Sequence, residues 1–380
     1  MDVDEPLPLL GGISPATFMQ RHWQKKPLLV RQALPGVTPP LSRAALFELA
    51  GSQDVESRLV VRADRAWRVR SGPLPRRALP PVSRPGWTLL VQGLDLHVPV
   101  AHELLSKFRF VPAARLDDLM VSWASPGGGV GPHVDSYDVF LLQVHGRRRW
   151  QVGKVRNAAF VAGAPLKLLR QFEPTQEWLL EAGDMLYLPP GWGHDGVADG
   201  GDCMTCSVGF RAPAAGELAR ELLMRLADEG EGEGDVVAPS ATVLYRDPKQ
   251  QATTTPGALP DGLLAFARAA LERQLADPDA LARVFGEMLT EPKAQVWFDG
   301  GAPRRAGAVR LDARSRMLYD DRHVFINGEA LRAGGRDAGL MRRLADTRAL
   351  GAGECARLSA PAAALLDDWV AAGWVRQDAG

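Results

Sequence analysis

His133-Val134-Asp135, followed 59 residues after Asp135 by His194 in Pro189-Pro190-Gly191-Trp192-Gly193-His194, restricts this chain more than any other feature. Two imidazoles and one carboxylate are the ligand set of a facial-triad non-haem Fe(II) centre, which leaves positions open for a co-substrate and O2. Side chains at i and i+2 of a strand point the same way, so an extended segment lets His133 and Asp135 reach one metal. Gly127-Gly128-Gly129-Val130-Gly131-Pro132 delivers the chain into that segment. Gly183-Asp184 opens a second one, Met185 to Leu188, stopped by Pro189-Pro190-Gly191 with His194 just beyond. On its own an HxD pair is more often a surface pair. Combined with the Gly-rich entry and the G-x5-P-x-G-x2-H segment it is specific. It predicts a double-stranded β-helix, with two ligands on one strand and the third on a strand distant in sequence.

The chain has 380 residues, enough for two or three domains. Its 45 basic and 45 acidic residues cancel, so no global field draws it to nucleic acid or membrane. Three cysteines, Cys203, Cys206 and Cys355, exclude a disulfide framework and fit a reducing compartment. The acidic Met1-Asp2-Val3-Asp4-Glu5 does not resemble a secretion signal, and no apolar run has the length of a membrane span. A cytoplasmic location is expected.

A short helix capped by Ser14 (14–22), a strand at Leu28-Leu29-Val30 and a helix at 43–50 precede a β-rich stretch from about 58 to 210. Within it, Val139 to Val144 is predicted to form a hairpin with Trp150-Gln151-Val152 across His145-Gly146. The pattern turns helical after Arg211-Ala212-Pro213, with an acidic, Gly-interrupted loop at 228–235 and helices around 263–271 and from Asp277-Pro278-Asp279. From about 291, short strands at 308–312, 316–319, 323–326 and 374–375 accompany helices at 336–346 and 360–372, as in a winged-helix module. The expected class is mainly β plus α: a catalytic domain over 1–211, a helical domain over 212–290 and a winged-helix-like domain over 291–380.

Gly146-Arg147-Arg148-Arg149-Trp150 puts three arginines in one strand. Arg148, Trp150 and Val152 share one face; Arg147, Arg149 and Gln151 share the other. Either the arginines form an outward stripe, or at least one points inward and requires an anionic partner. Beside an open Fe(II) site that partner would be the distal carboxylate of 2-oxoglutarate, which a planar guanidinium binds bidentately.

WQKKP (23–27), RLDDLMVSWASPGGGVGPH (115–133), HVDSYDVFLLQVHGRRRW (133–150) and GDMLYLPPGWGH (183–194) together resemble the bacterial JmjC-type ribosomal oxygenases, arginine hydroxylases of a large-subunit ribosomal protein. The likeness is strong over about 14–211 and weaker beyond. It implies a JmjC/cupin core, a helical dimerisation domain giving a homodimer, and a C-terminal winged helix. It implies Fe(II) on His133, Asp135 and His194, 2-oxoglutarate on Arg148, and O2 as second co-substrate. The eukaryotic, histidine-modifying relatives tend to carry Lys at the position of Arg148, so Arg favours the arginine-modifying branch. Asp118, Met120 and Tyr137 match positions that contact the target arginine, and Ser207 lies near a further one. Taken singly, Asp118 reads as a salt-bridged surface acid and Met120 as a core methionine.

Other signals are weaker. Cys203-x-x-Cys206 faces two ways on a strand and has no second pair, so both read as small core residues. His145 is expected to face solvent, and His22, His97, His102 and His323 have no ligand-like context. Residues 301–380 hold 13 Arg and no Lys against 10 acidic residues, too small an excess to predict direct nucleic-acid binding. Two other classes stay open: a histidyl hydroxylase or lysine demethylase of the same superfamily, and a metal-binding cupin without catalysis.

Overall fold

The computed structural model describes residues 2–63, 66–229, 243–249, 251–252, 254–302 and 307–377. Most of the acidic Gly-interrupted loop expected at 228–235 lies outside them. The chain divides into two units. The first comprises Met1–Ala212 together with Lys293–Phe298; the second comprises Pro213–Pro292 and Asp299–Gly380. Residues 293–298, expected with the winged helix, thus pack with the first unit.

In the first unit, helices α1 (Pro15–Arg21), α2 (Arg43–Leu49) and α3 (Pro99–Ser106) surround twelve strands. The first six are β1 (Leu28–Val30), β2 (Ser57–Ala63), β3 (Ala66–Ser71), β4 (Trp87–Val91), β5 (Leu116–Ala124) and β6 (His133–Val134). They are followed by β7 (Val139–His145), β8 (Arg148–Lys154), β9 (Gln176–Leu180), β10 (Met185–Leu188), β11 (Trp192–Ala198) and β12 (Cys203–Phe210). One sheet has the order β1-β10-β7-β12-β5-β4-β2-β3 and the other β6-β11-β8-β9. From β5 onward the chain passes back and forth between the sheets, remaining in one only from β8 to β9. This is the expected double-stranded β-helix.

The hairpin predicted between 139–144 and 150–152 does not form. β7 pairs with β10 and β12 in the larger sheet, whereas β8 pairs with β11 and β9 in the smaller. Both faces of β7 are apolar and both of its edges are already hydrogen-bonded. Val139 and Leu141 pack between the sheets with Trp150, Val152 and Leu188. Phe140 turns to the opposite face, against Phe18, Phe108, Tyr187 and Phe210. Gly146, at φ 64°, turns the chain out of the first sheet. A Cβ there would collide with the carbonyl oxygen of Asp202. Gly146→Ala is therefore expected to cost about 2–3 kcal/mol, combining a left-handed backbone with a clash. Urea unfolding would show it as a lowered midpoint with an unchanged slope.

Two sequence signals prove to be structural latches. Trp23 of the WQKKP segment stacks on Tyr187, whose hydroxyl donates to buried Asp138 at 2.6 Å. Asp184 accepts from the Gln32 N–H at 3.0 Å and from Arg31 at 2.6 Å, tying β10 to the chain after β1. Ser14 caps α1 by accepting from the Thr17 N–H.

In the second unit, α4 (Ala215–Glu229), α5 (Asp261–Leu275) and α6 (Pro278–Thr290) precede β13 (Val309–Leu311), β14 (Met317–Tyr319), β15 (His323–Ile326) and β16 (Glu329–Arg332). Then come α7 (Gly335–Thr347), β17 (Ala349–Leu350), α8 (Ala352–Cys355), α9 (Ala360–Ala371) and β18 (Val375–Gln377). Two three-stranded sheets, β17-β13-β18 and β14-β15-β16, share a core with α7 and α9 that includes Val324, Leu344 and Trp369. These small sheets beside helices form the winged-helix domain expected from the sequence.

Candidate metal centre

The space between the two sheets is a cavity of about 530 Å³. All eight residues singled out from the sequence line it: Asp118, Met120, His133, Asp135, Tyr137, Arg148, His194 and Ser207. They arrive from β5, β6, β8, β11, β12 and the turn after β6, so the fold rather than any one segment assembles them.

His133 and His194 are directly paired across β6 and β11. The strands are distant in sequence yet hydrogen-bonded neighbours, with the imidazole centroids 4.2 Å apart. Asp135 follows one residue past β6, and its Oδ2 is 3.6 Å from His194 Nε2. One donor atom from each of the three lies within 4.8 Å of the others. His133 Nδ1 is 2.9 Å from the Gly131 carbonyl oxygen, and His194 Nδ1 is 3.1 Å from that of Trp192. A carbonyl only accepts, so each Nδ1 carries the proton and each Nε2 keeps a lone pair for a metal. Burial, reinforced by His133, drives the His194 pKa well down and keeps its ring neutral. Burial raises Asp135, while His133 and a hydrogen bond from Tyr137 oppose the rise. Two imidazoles that each turn Nε2 toward a carboxylate short of positive charge are what a divalent cation completes.

Arg148 points inward, as strand parity allowed, and only 3% of it is exposed. Its Nη1 donates to Ser122 Oγ at 3.0 Å and to Thr205 Oγ1 at 3.4 Å; its Nη2 donates to the Gly196 carbonyl at 3.1 Å. The guanidinium lies 4.9 Å from the Trp150 ring centroid. Its Nε is buried without a hydrogen-bond partner. Among the described residues no carboxylate forms an ion pair with it. Burial pulls its pKa down, opposed by Cys203 and Asp195. By contrast Arg149, one residue on, faces solvent and pairs with Glu177 and Asp199. A buried cation without a counter-ion is costly unless an anion joins it.

On the opposite wall, Asp118 is buried rather than at the surface. It accepts the Gly93 N–H at 2.9 Å. Met120 is half-buried and lines the cavity, so it is not a core methionine. Ser207 is buried, and Tyr137 is 40% exposed beside Asp135. Thr205 also lines the cavity and was missed, although it shares the strand parity of Ser207. Arg58 and Lys167 line it as well, from segments that carry no motif. Cys203 and Cys206 are buried and unpaired. His145 is exposed, 3.6 Å from Asp202. Among the described residues no helix is long and apolar enough to cross a membrane.

A family profile described as JmjC domain matches residues 103–218, and one described as ROXA-like winged helix matches 273–376. The ribosomal protein uL16 3-hydroxylase of Escherichia coli is 42% identical over 213 residues, which is 56% of this chain and 55% of that protein. The chain thus aligns with about half the length of its curated relatives. Solved structures match further. That of YcfD, a ribosomal oxygenase from Escherichia coli, is 30% identical, with a TM-score of 0.79 over 97% of this chain and 98% of that one. YcfD in complex with cobalt and 2-oxoglutarate is 29% identical, with a TM-score of 0.79 over 96% and 98%.

Proposed function

This chain belongs to the family of JmjC-domain ribosomal oxygenases, and from that premise we propose that it is an Fe(II)- and 2-oxoglutarate-dependent hydroxylase of an arginyl Cβ in a large-subunit ribosomal protein. The observation that carries the chemistry is the buried Arg148, whose Nε lacks a partner, lining one cavity with His133, Asp135 and His194. An apolar or neutral ligand would leave that charge uncompensated. A dicarboxylate that reaches both metal and guanidinium would not. In this reading His133, Asp135 and His194 hold Fe(II), and Arg148 holds the distal carboxylate of 2-oxoglutarate. When bound, iron and 2-oxoglutarate supply the activation of O2 that turns a C–H bond into C–OH, releasing succinate and CO2.

The protein's own residues do the selecting and the orienting. The Gly131 and Trp192 carbonyls fix the imidazole tautomers. Ser122, Thr205 and Gly196 fix the fork of Arg148. Asp118 accepts the substrate guanidinium, Met120 and Tyr137 bracket its aliphatic stem, and Ser207 adds a polar contact. Holding the reacting carbon in one geometry is worth several kcal/mol of barrier on its own.

The test is anaerobic addition of Fe(II) and then 2-oxoglutarate, followed by O2. The expected result is one metal per chain, 2-oxoglutarate binding that depends on the metal, and succinate once O2 is admitted. Bound metal without succinate would instead support a binding-only cupin. Among enzymatic rivals, a histidyl hydroxylase is disfavoured by an acid on the substrate wall, which suits a cationic side chain; a lysine demethylase is separated by its product, formaldehyde in place of a retained oxygen.

The helical segment 212–290 is read as a dimerisation domain and 291–380 as a winged-helix domain of structural or protein-contact role, with the whole acting in the cytoplasm. Support for the dimer is the apolar face of α5, which has no buried residue: Leu263, Leu264, Leu271 and Leu275 are all exposed. Uncovered apolar surface of this kind marks an interface. Light scattering is expected to give twice the chain mass. Leu264→Glu with Leu271→Glu is expected to give a monomer; a monomer for the unaltered protein would remove the proposal.

A further inference from the structure

Lys293 belongs to no motif. It opens the segment Lys293–Phe298, which packs with residues 1–212 although both its neighbours in sequence belong to the second unit. Its ammonium is 3.3 Å from Asp117 Oδ1 and 3.6 Å from Asp118 Oδ2. The Gly93 N–H donates to the same Asp118 Oδ2 at 2.9 Å. A hydrogen-bond donor and an ammonium at ion-pair distance therefore converge on one oxygen of Asp118. Its other oxygen, Oδ1, faces Gly209, a residue of the cavity wall with no side chain to cover it.

A second acid lies behind this one. Asp95 is buried and accepts the Leu119 N–H at 2.8 Å; burial pushes its carboxyl up to about 7. Burial also raises Asp118, and Lys293 is the largest influence opposing that rise. For Lys293 itself burial acts downward, but Asp118, Asp117 and Asp95 outweigh it and hold the proton. Lys293 is thus the cation that opposes protonation of Asp118 in a buried, doubly acidic wall.

We propose that Lys293 is a positioning residue for substrate recognition: it engages Oδ2 of Asp118 so that Oδ1 is presented to the cavity as the acceptor for a guanidinium. This rests on the reading of the site as an arginine hydroxylase and deepens it. The recognition wall is then completed by a residue lying beyond the helical segment 212–290, and residues 1–212 alone lack it.

The test uses the full chain without metal, and two peptides of one sequence that carry arginine or citrulline at the target position. Citrulline keeps the shape and lacks the charge. By calorimetry the unaltered protein is expected to bind the arginine peptide about tenfold or more tightly than the citrulline peptide, as a charged hydrogen-bonded pair predicts. Lys293→Met is expected to lose most of that preference. Lys293→Arg is expected to retain it within about threefold, because the positive charge remains. On an Asp118→Asn background, Lys293→Met is expected to change nothing further. In turnover the loss is expected in the peptide KM rather than in kcat. Lys293→Gln serves as the second neutral variant should the methionine variant not fold. If Lys293→Met keeps the arginine preference, or lowers both affinities equally, the proposal is overturned. If the unaltered protein itself shows no preference for arginine, the substrate reading beneath it fails instead.

Discussion

Arg148→Met is expected to abolish 2-oxoglutarate binding in practical terms while leaving the fold as stable as before. The guanidinium offers a fixed fork to a carboxylate, and two charge-assisted hydrogen bonds at 1.5–3 kcal/mol each correspond to a Kd raised by about 100-fold or more. Stability should not follow. Arg148 is a buried charge with no ion-pair partner among the described residues and an unpartnered Nε. Its desolvation cost disappears with the charge, and methionine fills a similar volume beside Trp150. Against this, Ser122, Thr205 and Gly196 lose a donor, so the net change is expected within about 1 kcal/mol. Thermal unfolding with and without ligand reads both quantities. At a ligand concentration near 100 times Kd the metal-loaded unaltered protein gains about 2.7 kcal/mol. The variant is expected to gain nothing from ligand and to start from an unchanged midpoint. A variant strongly destabilised without ligand would show that Arg148 is a structural residue.

Loss of any one of His133, Asp135 or His194 to alanine is expected to reduce hydroxylation by at least about 10³-fold, because a metal's electrostatic contribution to a transition state is several kcal/mol. The three variants should differ in stability in a way the fold specifies. His133 and Asp135 are only half-buried, so their alanine variants are expected to unfold within about 0.5 kcal/mol of the parent. His194 is 3% exposed, and its removal leaves a void costing about 1–2 kcal/mol. Metal stoichiometry after dialysis, set beside urea unfolding, separates the two effects. Retention of one tightly held metal by Asp135→Ala and His133→Ala would contradict the ligand assignment.

The triad was legible in the sequence because its information is local: an i, i+2 pair on an extended segment, and a Gly-Pro frame around His194. Three successive arginines on a strand are forced onto two faces, which made an inward guanidinium legible as one of two alternatives; the resemblance singled out Arg148. The 139–152 hairpin was misread because a short connection between two β segments looks the same whether the strands pair in one sheet or step between two. What decided it was non-local: β10 and β12 occupy both edges of β7. Taken singly, Asp118 and Met120 read as ordinary residues, and only the resemblance of the surrounding motifs marked them; β5 sets both on the cavity wall. Lys293 carried no signal, because its meaning depends on a chain segment returning from beyond α6 to an acid on β5. Pairings of that kind are set by tertiary packing and leave no period or motif.

Arginine hydroxylation is tested by mass spectrometry of an arginine-containing peptide panel from large-subunit ribosomal proteins, incubated with the iron-loaded protein, 2-oxoglutarate and O2. The expected result is the gain of one oxygen atom on an arginine side chain, located at Cβ by fragmentation or NMR and absent with His133→Ala and with Arg148→Met. Succinate formed with every arginine unmodified, or oxygen gained on histidine instead, would contradict it.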